Sequence, residues 1–79
     1  MKDLMIKAAD IVEGLENVEE VRLYEYPLGH PHERNGHTHS LVIHFEDDEN
    51  GEARESKMYL FNKEEQQWEP YKRSRKEKQ

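Results

Sequence analysis

Four histidines stand in the decapeptide His30-Pro31-His32-Glu33-Arg34-Asn35-Gly36-His37-Thr38-His39, as two H-x-H pairs four residues apart. Neutral imidazole ligates divalent transition metals, and side chains two apart on a strand share a face. If Asn35-Gly36 forms a two-residue hairpin turn, His32 lies opposite His39, and His30 and His37 project to the same side. Four rings at one hairpin tip would then converge on Zn²⁺, Ni²⁺ or Cu²⁺. Glu33 is the nearby carboxylate that would orient such ligands. Read without a metal, the segment is a solvated turn that gains positive charge on mild acidification, since free imidazole titrates near about 6.5. His44 alternates with Ile43 and Phe45, which places it on the other face of its strand, near Lys57.

No catalytic set accompanies the cluster. Ser40 and Ser56 lack the flanking glycines of a nucleophile elbow, and Ser74 sits in a basic C-terminal run. The four glycines are isolated at 14, 29, 36 and 51, so none builds a phosphate-cradling loop. The carboxylates Glu46–Glu49 with Glu52 surround a turn and lack the ligand spacing of an EF-hand. There is no cysteine, which excludes disulfides, cysteine-ligated zinc and thiol catalysis. A domain this small has little room for a closed pocket, and the chain reads as no enzyme.

The elements that must position these residues follow from composition and periodicity. The chain has 79 residues, with 38% charged and 33% hydrophobic, enough for one small domain. Residues 1–71 carry seven Lys/Arg against seventeen Asp/Glu, a balance of −10. Residues 72–79 carry five positive charges against one negative, a balance of +4. The expected division is therefore a domain over 1–71 and a disordered basic tail over 72–79. Lys72, Arg73, Arg75, Lys76 and Lys78 would touch nucleic acid weakly at most, because the acidic body repels phosphate. No apolar run reaches the roughly 20 residues of a membrane span, and no signal peptide opens the chain, so the expected place is the cytoplasm without membrane contact.

Residues 3–16 have helical periodicity, with Leu4, Met5, Ala8, Ile11, Val12 and Leu15 within an arc of about 120°. Asp3 would cap the start, and Gly14 or Asn17 would supply a left-handed stop. Strands are predicted at Val21–Leu28, Thr38–Glu46 and Glu55–Asn62, with a fourth near Gln67–Tyr71. The fold class is α+β: an N-terminal helix packed on a three- to four-stranded antiparallel meander. Two-residue turns at Asn35-Gly36 and Asn50-Gly51 would pair Tyr26 with Phe45, Leu28 with Ile43, Ile43 with Met58 and Leu41 with Leu60. All seven of these side chains then share one face beneath the helix.

The same registers collect Val42, Tyr59 and Phe61 on the opposite face, joined by Trp68 after a four-residue turn at Asn62–Glu65. One helix cannot cover two faces, so this second face calls for a partner subunit, a curled tail or a target protein, unless the sheet curls enough to enclose it. No family signature emerges. The function expected from these features is a small acidic protein-binding module, an inhibitor or accessory subunit of another protein, of a kind that phages carry. Homodimerisation through the second face is the other form of this reading. Val42, Tyr59, Phe61 and Trp68 would be its contact residues. The alternative is a transition-metal-binding module using His30, His32, His37 and His39.

Overall fold

The structure is a computed structural model and describes residues 2–71. The expected basic tail, 72–79, lies outside the described residues. Helix α1 spans Lys2–Glu13 and is followed by strand β1, Val18–Glu25. A one-turn helix α2, Pro31–Arg34, precedes β2, His37–Phe45, and then β3, Lys57–Asn62, and β4, Gln67–Pro70. The four strands form one antiparallel sheet in the order β1-β2-β3-β4, the meander that the alternating patterns predict.

α1 lies on one face of the sheet because its apolar stripe is continuous. Leu4 and Ala8 are buried, and Ile11, Val12 and Leu15 pack on the core built around Leu41 and Ile43. Met5, expected in that stripe, is instead exposed beside the sheet edge. The helix begins one residue before Asp3, so this side chain sits in the first turn, where its charge complements the unpaired amides. The left-handed residue after the helix is Asn17, at φ 62°, and not Gly14.

Both registers differ from expectation, for reasons local to the turns. In the second hairpin Asn50 has an ordinary negative φ and only Gly51 is left-handed, at φ 80°. A type I′ turn needs positive φ at both central residues, so it does not form. Asp48 N–H donates to the Glu52 carbonyl, and Asp48 Oδ1 accepts from the backbone of Asn50 and Glu52 at 2.8 and 2.9 Å. Glu49-Asn50-Gly51 is thus a three-residue turn ending in a left-handed glycine, and it moves β3 by one position. Ser40 now faces Leu60, Leu41 faces Tyr59 and Val42 faces Met58.

The shift exchanges the two faces of β3. Tyr59 and Phe61 turn toward α1 with Leu41 and Ile43, and Met58 and Leu60 turn away. In the first hairpin, Asn35 caps the C-terminus of α2 and Gly36, at φ 96°, leads out of it. The connection from Tyr26 to Gly36 is therefore long, and Val21 faces Ile43 where Leu28 was expected. Leu28 is 90% exposed.

The last turn leaves Asn62 facing Gln67, so Trp68 pairs with Phe61. Trp68 stays on the face of Tyr59, but that face is the helix side. Its indole N–H donates to the Leu4 carbonyl at 3.1 Å, and its ring meets Phe61 edge-on at 5.1 Å. Lys7 Nζ donates to the Gln66 carbonyl nearby, a second tie between α1 and the β3–β4 turn.

Candidate functional site

The expected contact patch does not survive the change of register. Val42 lies half-buried on the face away from α1, while Tyr59, Phe61 and Trp68 lie beneath the helix. Phe61 is 3% exposed, and Tyr59 and Trp68 pack on the central core. These three aromatics are covered by the chain's own helix.

One end of the other face is covered, by a segment that no periodicity announced. α2 packs against β2, and the His32 ring meets Tyr71 edge-on at 5.5 Å. The Tyr71 N–H donates to the Met58 carbonyl, which places Tyr71 beside the strand carrying Met58 and Leu60. Ser40 and Leu60 pair on this face, and both are buried.

The histidines divide among three environments. His30 and His32 belong to α2 and its cap: the His30 Nδ1 accepts the His32 backbone N–H at 3.1 Å. Their rings stack 5.5 Å apart, and the His30 ring lies 4.4 Å from that of Tyr26. His37 faces away from α1, where its Nε2 lies 3.0 Å from Glu69 Oε1. His39 is buried on the helix side, across from Glu25 and Phe61, with its Nδ1 2.8 Å from Thr38 Oγ1. A β2 irregularity at His37/His39 accompanies this split. His30, His32, His37 and His39 therefore do not converge. Among the described residues no three His, Asp or Glu side chains are grouped closely enough to hold a metal ion. His44 lies on the face away from α1, as expected, whereas Lys57 pairs with Ile43 on the helix side.

The His37–Glu69 contact has a consequence for acid stability. The hydrogen bond from His37 holds the Glu69 carboxyl below its ordinary value of 4.5, assisted by the Asn62 amide and opposed by partial desolvation. A carboxyl with a depressed folded pKa contributes stability that is present above its unfolded pKa and is lost as pH falls through the folded one. Glu69→Gln is therefore expected to be less stable than wild type in urea melts at pH 7. The gap should narrow as pH falls below 4.5. An unchanged gap down to pH 3, a value about one unit beneath an ordinary carboxylate, would contradict this role.

Among the described residues, the strand left without a cover is β1. Seven of its eight residues are exposed, and it forms an edge of the sheet. The Tyr26 N–H donates to the Thr38 carbonyl, the continuation of the β1–β2 ladder. Antiparallel bonding alternates, so Tyr24 and Arg22 turn their backbone groups toward β2, and Glu25, Leu23 and Val21 turn theirs outward. Val21, Leu23 and Tyr24 are 41%, 37% and 46% exposed. Leu23 and Tyr24 also line a shallow groove with Leu4, Met5, Glu25 and His39.

On the face away from α1, Arg22 Nε donates to Glu20 Oε2 at 2.8 Å and Arg22 Nη1 to the Tyr24 hydroxyl at 3.3 Å. The hydroxyl contact first, then Glu20, keeps the guanidinium firmly protonated. The opposite edge is different in kind. β4 has four residues, carries Glu69 and ends in Pro70, features that block strand addition.

Sequence periodicity placed Val21 and Leu23 in the first strand, which runs Val18–Glu25 where Val21–Leu28 was expected. The alternation of sign in Glu20-Val21-Arg22 was the available signal for an edge feature.

Fold and site together define a small α+β domain with one guarded edge and one open edge. No known family matches this chain, and no curated protein or solved structure does either. No helix among the described residues is long and apolar enough to cross a membrane.

Proposed function

We propose that this protein is a small acidic protein-binding module, and that it binds by adding a strand at β1. The observation that carries the reading is the open ladder of β1, whose outward backbone groups stand beside exposed Val21, Leu23 and Met5. Main-chain hydrogen bonds supply affinity in such pairing, and alternate side chains supply selectivity. Apolar side chains beside the edge supply area that becomes buried on contact. The alternating charges of Glu20 and Arg22 at this edge favour a partner strand of alternating charge. The reading supersedes the patch of Val42, Tyr59, Phe61 and Trp68 as the contact surface and assigns no catalytic step.

Val21→Pro tests it. Proline removes an outward N–H while leaving the β1–β2 bonds of Arg22 and Tyr24 in place. Immobilised wild-type chain is expected to retain a protein from its native host in stoichiometric amount, or a second copy of itself. The folded Val21→Pro variant, checked by circular dichroism, should retain neither. Identical binding by both proteins would contradict the proposal.

A further inference from the structure

We infer that the occupant of the β1 edge is a second copy of this chain, paired antiparallel about a two-fold axis between Val21 and its copy. The inference rests on the strand-addition reading above and adds to it the identity and register of the partner.

Symmetry restricts the choices. Antiparallel strands related by a two-fold axis normal to the sheet keep each residue on its own face, so the central residue must face its own copy across the axis. Centred on Arg22, the pairing sets Arg22 against Arg22 of the second copy, a like-charge pair directly opposite. Centred on Leu23, it sets Arg22 against Tyr24 and Val21 against Glu25, so neither charge meets an opposite one across the pair. Centred on Val21, it sets Val21 against Val21 and Glu20 against Arg22 in both directions.

The third register is the self-complementary one. Glu20 and Arg22 already touch within one chain at 2.8 Å, on the face away from α1. Pairing about Val21 extends that contact into a four-member row, Arg22 and Glu20 of one copy alternating with Glu20 and Arg22 of the other. Val21 is also one of the residues whose N–H and C=O point outward, so the axis falls on a pair that exchanges two backbone bonds. The irregularity between Val18 and Glu20 adjoins this central segment at Glu19, which the same register sets opposite Leu23. The exposed charges of β1 thus match another β1, although a strand carrying one sign of charge would repel its copy.

Light scattering of the full chain across a concentration series tests this. The expected species at high concentration has twice the monomer mass of 9.5 kDa. Glu20→Arg and Arg22→Glu, each alone, replace two attractive cross-pairs by two repulsive ones and should weaken the dimer about tenfold or more. Mixing the two variants restores opposite charges at every position and should restore a heterodimer. The double reversal E20R/R22E should dimerise like wild type.

A chain that stays monomeric up to about 1 mM, a concentration at which even a weak pair forms, overturns the second-copy inference. So does a mixture of the two reversed variants that fails to associate while the wild type dimerises. The strand-addition reading is separately decided by whether Val21→Pro changes what the immobilised chain retains.

Discussion

Ile43→Ala is expected to bring this domain close to unfolding in water at room temperature. Ile43 is fully buried at the centre of the sheet, between Val21 on β1 and Lys57 on β3, and it packs against α1 through Ala8. Removing three carbons there loses transfer free energy and leaves a cavity, together about 2–5 kcal/mol. A chain of 79 residues has in total only about 4–12 kcal/mol to lose. Urea denaturation followed by circular dichroism measures the change. A loss below about 1 kcal/mol, the range of surface substitutions, would mean that Ile43 is not at the centre of the core.

The second large effect belongs to Trp68. Its ring is half-buried beneath α1, edge-on to Phe61, and its N–H reaches the Leu4 carbonyl. Trp68→Ala removes the packing and the hydrogen bond together, an expected loss of about 3–5 kcal/mol. Trp68→Phe keeps most of the ring area and deletes the donor, which should cost about 1 kcal/mol. The contrast between the variants is the informative result. It locates the stabilisation in apolar contact between β4 and the helix, with the hydrogen bond fixing orientation. Equal losses would instead assign the stability to the Leu4 contact. An inert Trp68→Ala would instead place Trp68 outside the core, on a face free for another cover.

Periodicity and spacing carried the fold and failed at the turns. The 3.6-residue spacing of Leu4, Ala8, Ile11 and Val12 and the alternation through Leu41, Ile43 and Phe45 do not depend on what joins the elements. Helix, strands, strand order and the burial of Leu41 and Ile43 were all legible from them. Asn35-Gly36 and Asn50-Gly51 look alike in sequence yet do different work. One closes a helical turn nucleated by His30 and Pro31, and the other closes a three-residue loop held by the Asp48 carboxylate. Neither use follows from the dipeptide alone.

The consequence for function is large because side-chain period in a strand is two. One residue of slippage at Gly51 moved Tyr59 and Phe61 from a proposed contact surface into the core. It likewise moved Met58 and Leu60 out from under the helix. The histidines are dispersed for a related reason: the His30 ring caps α2, and the irregularity at His37/His39 separates the other pair. The open edge was legible only in part, because which strand lies at an edge depends on pairing, while the Glu20-Val21-Arg22 alternation is visible in the chain itself.

Amide hydrogen exchange along β1, recorded on the full chain at a dilute and a concentrated setting, reads the edge directly. In dilute solution the Arg22 and Tyr24 amides should be protected by β2, and those of Val21 and Leu23 should exchange freely. At high concentration Val21 and Leu23 should gain protection together, while the β4 edge stays unchanged. Rapid exchange at Val21 and Leu23 at every concentration would contradict pairing with a second copy, and protection of both in the dilute monomer would contradict the open edge itself.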